Sequence, residues 1–397
     1  MFFWELLNLN MIWILLSVWV LISVNKKINL GIPPQLIYMF LWIILVSFGF
    51  WVPEKEMQIL SGFAIIFMLF TSELTGHSVP HFFDSIFKNI KVAIVAAIGP
   101  WIWAYTFSNL WWWSFSESIV LWAVFTSTAL PFTIWVLKEY KISKSKEANV
   151  AISASTADDI LATLVWILTS VLLATSWSSW RNYFEISLEL WLVIWFFVFI
   201  YLLHFLLSKY KLLKKYHWGT LTIMIMWWII IALWEFIFHI HYAIWALFAW
   251  VLLNPEFFHE KLSKFKRSSE KLARTSEYIW PFFFVYLWLN LNFSNVFQNY
   301  TILISGFLLF LSVVTLQFLT AYFAWKWRWL DNTNAMTLGF AMTPRDVVAI
   351  VIFDMNSQFI TNINIFPSVI LAIFLLNITA TLWLKFSSKK LLEQKSN

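Results

Sequence analysis

The sequence predicts an all-α polytopic membrane protein, on three observations. Of its 397 residues, 61% are hydrophobic and 12% charged, whereas soluble domains are about one quarter charged. Apolar stretches of roughly 20 residues, each long enough to cross a bilayer as a helix, recur from end to end. Two of them are interrupted near their centres by a threonine-rich patch followed by proline. The first apolar segment lacks a basic start and a small-residue cleavage site, so it reads as a retained helix. With no cysteine in the chain, disulfides and thiolate metal sites are excluded.

Thirteen spans are expected, near 4–24, 35–52, 57–76, 91–112, 117–137, 148–175, 184–207, 219–238, 240–254, 277–293, 301–324, 335–355 and 366–386. Lysine and arginine orient them. One alternating set of loops carries Lys26 and Lys27, Lys88 and Lys91, "KEYKISKSK" (138–146), "SKYKLLKK" (208–215), "EKLSKFKRSSEKLAR" (260–274), "KWR" (326–328) and the tail lysines. The opposite set holds only Lys55 and Arg181. Positive residues stay cytoplasmic, so the N-terminus is expected outside and the C-terminus inside. The net charge of +6 follows this topology and does not point to nucleic acid. The longest polar stretch, 255–276, reads as a cytoplasmic basic loop forming a surface helix that links two halves.

Span five reads "ESIVLWAVFTSTALPFTIWVL" and span twelve "AMTLGFAMTPRDVVAIVIF". Their interruptions are Thr126, Ser127, Thr128 and Pro131 in one, Thr343, Pro344 and Arg345 in the other. Proline removes a helix hydrogen bond and clashes with the preceding turn. Broken backbone at membrane depth survives only where it lines a cavity or is buried in protein. A matched pair, one in each half, points to a secondary transporter built from inverted repeats with a midplane site. Five intervening spans would give the two interrupted helices opposite orientations.

Span six carries Asp158 and Asp159 in "ISASTADDILATLVW" (152–166). Acids inside a membrane are costly and mark ion or proton pathways. Successive helix residues point about 100° apart, so one acid can face a transport cavity while the other faces a neighbouring helix. Burial and mutual repulsion make the doubly ionised pair costly, so a proton or a cation compensates it. Competition of H⁺ with a cation at one carboxylate, combined with alternating access, suffices for antiport. Arg345 is the one basic residue within a span. It either counters a carboxylate or pairs locally with Asp346.

These segments resemble a known family. "FTSTALPFTIWVLKE" followed by "ANVAISASTADDILATLV" is similar to the cation:proton antiporter-2 family of bacterial Na⁺/H⁺ antiporters and related K⁺ transporters. "GIPPQLIYMFLWIILVSFGF", "YAIWALFAWVLLN", "PFFFVYLWLNLNFS" and "GFAMTPRDVVAIVI" resemble further segments of it in the same order. The resemblance implies an inverted-repeat antiporter fold with two discontinuous helices crossing at the midplane. It implies dimer-forming panel helices over 1–90 and 217–300, core helices over 91–176 and 301–397, and a linker helix over 177–216. The core would move against the panel like an elevator. Asp159 would carry ion and proton, with Asp158 as its partner. Na⁺ exchange for H⁺ in a plasma-membrane homodimer is expected. K⁺/H⁺ exchange, K⁺ efflux and Li⁺ transport remain alternatives. Nothing calls for a cofactor, or for a metal beyond the transported cation. A membrane-embedded enzyme acting on lipid-linked substrates fits poorly, because the acids lie mid-span and no loop is large enough for a catalytic site.

Two departures from the family stand out. Gln317 in "VTLQFLTAYFA" occupies the place where the family commonly has the lysine that pairs with Asp158. Either Arg345 takes over, or Asp158 stays protonated, or the stoichiometry differs from the electrogenic exchange associated with the Asp-Asp form. The chain also has 29 Trp and only 8 Gly. Trp42, Trp122, Trp245, Trp250 and Trp288 stand where the family usually has glycine at close helix contacts. A gene that uses UGA for glycine, translated with UGA as tryptophan, would produce this pattern.

Overall fold

The computed structural model describes residues 59–67, 113–129, 183–210, 262–289, 299–326, 332–345 and 347–396, with individual residues elsewhere, and every statement below concerns these. The chain divides into two compact units. One comprises residues 1–75, 217–250 and 260–299, the other 76–216, 251–259 and 300–397. The expected count of thirteen spans extends over segments outside the described residues.

Within the first unit, helix α3 (Leu262–Leu289) is continuous. The 255–276 stretch was expected to form a basic surface helix, and α3 covers its part from Leu262. From Leu262 onward it is the same rod as the apolar segment that follows. No glycine or proline lies between Leu262 and Trp280, so nothing in that stretch stops a helix. Arg267, Lys271 and Arg274 are exposed along it, whereas Ser269 and Ser276 are buried. The Thr71 hydroxyl donates to Ser276 Oγ at 2.9 Å, tying α3 to Thr71.

The second unit contains helices α1 (Phe115–Thr126), α2 (Tyr183–Tyr210), α4 (Tyr300–Lys326), α5 (Asn332–Ala341), α6 (Val347–Met355) and α7 (Ile365–Ser396). A short 3-10 turn, Ser357–Phe359, follows α6. Among the described residues, Tyr300–Thr320 in α4 and Ile365–Ser387 in α7 are long and apolar enough to cross a membrane. Their 21 and 23 residues span roughly 30 Å at 1.5 Å per residue.

Helix α4 packs against both α5 and α7, and α5 also packs against α7. Glycine sets the closest approaches. A Cβ on Gly306 would lie 2.8 Å from the Leu371 side chain of α7, and one on Gly339 would lie 3.0 Å from the Phe318 ring of α4. Lipid tails are as apolar as leucine, so membrane helices associate by such close packing. Phe340 completes the seam. It stacks on Phe318 at 4.4 Å and on Trp383 of α7 at 4.9 Å.

Helix α1 starts on a capping box. Ser114 Oγ accepts from the Glu117 N–H at 3.3 Å, and Glu117 Oε2 accepts from the Ser114 N–H at 2.8 Å. Trp122, in the same helix, has its indole N–H buried without an acceptor. Trp103, packed on Phe107 and Phe125, has the same orphaned donor. Buried indoles normally find a partner, and glycine at 122 would remove one such donor. Trp288 falls within α3, while Trp42, Trp245 and Trp250 lie outside the described residues. We expect the gene to read UGA at these five codons, and the native protein to be lighter by intact mass than the all-tryptophan chain. UGG at all five would exclude the recoding.

Candidate ion-binding site

Proline chemistry locates both helix breaks. Pro131 would clash with the carbonyl of Ser127 and supplies no N–H to it. Helix α1 accordingly stops at Thr126, and Ser127 is extended at φ −69°, ψ 145°. Pro344 disfavours helical backbone at Thr343. Helix α5 stops at Ala341, and the chain stays non-helical from Thr343 through Arg345 before α6 begins at Val347. The two helix ends are finished alike. The Thr126 hydroxyl donates to the Trp122 carbonyl at 2.7 Å, and the Thr343 hydroxyl to the Gly339 carbonyl at 3.1 Å. At the second break the hydroxyl replaces the Thr343 N–H, which turns to the Phe340 carbonyl at 3.2 Å.

The breaks meet. The Ala129 N–H donates to the Pro344 carbonyl at 2.9 Å, and the Thr133 hydroxyl donates to the Ala341 carbonyl at 2.7 Å. Thr126, Ser127, Thr128, Ala129, Thr343 and Arg345 are all fully buried. Asn377 of α7 closes the crossing. Its Oδ1 accepts from the Arg345 N–H at 2.9 Å, and its Nδ2 donates to the Arg345 carbonyl at 2.7 Å. One amide thus supplies both partners that the interrupted backbone lacks at that residue.

The Arg345 guanidinium turns back on the end of α5. Its Nη1 donates to the Met342 carbonyl at 3.0 Å and to the Pro344 carbonyl at 3.1 Å. A cation at a helix C-terminus meets the negative end of the helix dipole. The same guanidinium acts electrostatically on Asp158, which is fully buried. The Thr128 hydroxyl also lies beside the Asp158 carboxylate, in an approach too long or too poorly aligned for a regular hydrogen bond. Among the described residues neither carboxylate oxygen of Asp158 is hydrogen-bonded, nor are the hydroxyls of Ser127, Thr128 and Ser155. Ser155 precedes Asp158 by three residues, hence lies on the same helix face. Unsatisfied buried oxygens are costly, and a dehydrated cation or a proton is what such oxygens can accept.

Thr126, Ser127, Thr128, Thr343, Pro344, Arg345 and Asp158 therefore come together. Asp159, Pro131 and Asp346 lie outside the described residues. Gln317 is buried in α4, and neither atom of its amide is hydrogen-bonded, so it makes no such bond to Asp158. Sequence reasoning did not single out Asn377, Ser155, Thr133 or Glu117. Asn377 had a signal, as a lone amide in an apolar span. Glu117 had one as the last residue of the capping-box pattern "SFSE".

Comparison with known proteins gives the family and the fold. The Na(+)/H(+) antiporter of Enterococcus hirae is 22% identical over 373 residues, covering 91% of this chain and 93% of that protein. The solved sodium proton antiporter MjNhaP1 from Methanocaldococcus jannaschii superposes with a TM-score of 0.70 at 16% identity, over 96% of this chain and 97% of that one. The fold is that of a helical antiporter. The transmembrane sodium/hydrogen exchanger family matches residues 14–390, and the chain belongs to that family of integral membrane proteins.

Proposed function

We propose that this protein exchanges a monovalent cation, Na⁺, for protons across the plasma membrane, in the manner of the antiporter-2 branch its Asp-Asp motif resembles. The observation that carries the reading is Asp158, a fully buried carboxylate with no hydrogen bond, set against the crossing of two interrupted helices. Asp159, its neighbour in sequence, is the carboxylate at which cation and proton compete. Hydroxyls of Ser127, Thr128 and Ser155 replace part of the hydration shell of the ion. Arg345 takes the counter-charge role that Gln317 cannot fill, and this leaves Asp158 to act as a fixed anion beside the carrier. The two compact units are the moving core and the dimer-forming panel of an elevator, with the N-terminus outside. The names of the antiporters it resembles support Na⁺ as the cation.

The test is proton flux in proteoliposomes, with Na⁺, Li⁺ and K⁺ offered in turn, with and without a membrane potential. Wild type is expected to exchange Na⁺, and Asp159→Asn to lose exchange by at least about 100-fold, since the carrier loses its titratable group. Full exchange in Asp159→Asn would refute the assignment, and proton flux driven by K⁺ alone would move the reading to K⁺/H⁺ exchange. Gln317→Lys adds a cation at a buried position of α4. It is expected to alter the response to membrane potential, and an unchanged response would show that position 317 does not set the stoichiometry.

A further inference from the structure

Glu117 does more than cap α1. Capping needs one carboxylate oxygen, and Oε2 serves that purpose at the Ser114 N–H. The other oxygen, Oε1, accepts three hydrogen bonds from the far side of the sequence. These come from the Thr361 N–H at 3.0 Å, the Thr361 hydroxyl at 2.9 Å and the Asn362 N–H at 3.0 Å. Thr361 and Asn362 form the loop just beyond α6 and its 3-10 turn. Glu117 as a residue is 3% exposed, and α1 packs along α6.

The two half-helices are thereby joined at both ends. At their inner ends the Ala129 N–H meets the Pro344 carbonyl, and at their outer ends Glu117 holds the loop after α6. They run antiparallel, because the end of α1 meets the start of α6 while the start of α1 meets the loop after α6. Thr128 leaves the inner end of one and Arg345 leads into the inner end of the other. Both act on Asp158.

We infer that Glu117 is a positioning residue for cation exchange: its outer clasp fixes the α1–α6 pair, and through it the spacing of Thr128 and Arg345 about Asp158. This rests on the exchange reading above. The clasp needs an acceptor on both oxygens, because all four groups around it are donors. Glutamine keeps the size but turns an NH₂ donor toward one set of donors. With the outer tie loosened, α1 and α6 can splay about the Ala129–Pro344 bond, and the oxygens offered to the cation separate. The loss falls on cation binding more than on the transport step.

Cation-dependent proton flux in proteoliposomes gives KM and kcat separately. Glu117→Gln is expected to raise the KM for the cation about tenfold with kcat within about twofold, since one charge-assisted bond is worth about that factor. Thr361→Val, which deletes a single hydroxyl donor and leaves the loop N–H groups in place, is expected to raise KM by a smaller factor. Glu117→Asp keeps the charge and should recover part of the affinity. Ser114→Ala removes the other half of the capping box and is expected to leave KM unchanged while lowering thermal stability. The inference is overturned if Ser114→Ala raises KM as much as Glu117→Gln, which would reduce Glu117 to a cap. It is equally overturned if Thr361→Val leaves KM at the wild-type value. Thr361→Val preserves this test should Glu117→Gln fail to fold. A wild-type protein that exchanges no cation would instead sink the exchange reading itself.

Discussion

Arg345→Met is expected to abolish exchange and to lower the unfolding temperature in detergent sharply. Arg345 is among the largest fully buried side chains of the described residues. Its guanidinium binds carbonyls at the end of α5 and supplies the positive charge facing Asp158. Methionine approximates its length without charge or donors, so Asp158 is left in the interior without its counter-charge. A buried carboxylate that loses the positive charge acting on it is left uncompensated, and an uncompensated buried charge is costly. The same reasoning predicts partial repair. Asp158→Asn in the Arg345→Met background should recover stability, with a coupling of about 1–3 kcal/mol between the two positions. Arg345→Lys should not substitute, because an ammonium is a point charge and cannot reach two carbonyls in the geometry of a guanidinium fork. Thermal unfolding of the four members of this cycle decides the matter. Additive effects would show that Asp158 and Arg345 do not act on each other.

Asn377→Leu is expected to be nearly as damaging, although residue 377 carries no charge and no part of the predicted motifs. Leucine has the same branched skeleton of four side-chain heavy atoms, with bulkier methyl ends, and is the better membrane residue. What it removes are both partners of the Arg345 backbone. Each backbone group left unsatisfied costs about 1–3 kcal/mol, and at membrane depth no bulk water is present to replace the lost bonds. Asn377→Asp separates the two bonds. A carboxylate can still accept from the Arg345 N–H but cannot donate to its carbonyl, and it adds a second anion beside the site. Exchange in vesicles should therefore fall strongly in both variants, with Asn377→Asp also perturbing cation affinity. Wild-type exchange in Asn377→Leu would mean that the crossing holds without the amide.

How much of this was legible in the sequence varied with the range of the interaction. The two helix breaks were visible because proline acts on its own neighbours. Its ring and missing N–H disrupt the preceding turn wherever the helix lies, and α1 and α5 end where Pro131 and Pro344 require. The acid doublet was visible because a carboxylate in an apolar run is costly in any fold. The cap of α1 was readable from "SFSE" for the same reason, as both of its bonds lie within four residues.

The contacts of the site were less legible. Arg345 had two open readings in the sequence, and the balance between Asp158 and Asp346 could not be drawn from spacing. The fold brings its guanidinium to bear on Asp158, from a different helix. Asn377 was one polar residue in a long apolar helix, and such residues are often only local. The basic stretch before Tyr278 read as a surface helix, and its union with the following apolar segment in one rod was not drawn from the sequence. Backbone continuity depends on helix stops, not on polarity, and α3 has none there.

The sequence by itself determined that the chain is a helical membrane protein, where two of its helices are interrupted, and that Asp158 lies in an apolar run. Those properties follow from solvation and from sterics between near neighbours. Only the tertiary structure decided which groups face which. It set Arg345 and Thr128 against Asp158, paired Asn377 with the broken backbone, and gave the second oxygen of Glu117 to a loop 244 residues away. Hydrogen bonds and ion pairs act over a few ångströms of space, and only the packing of the helices determines which distant residues come within that reach.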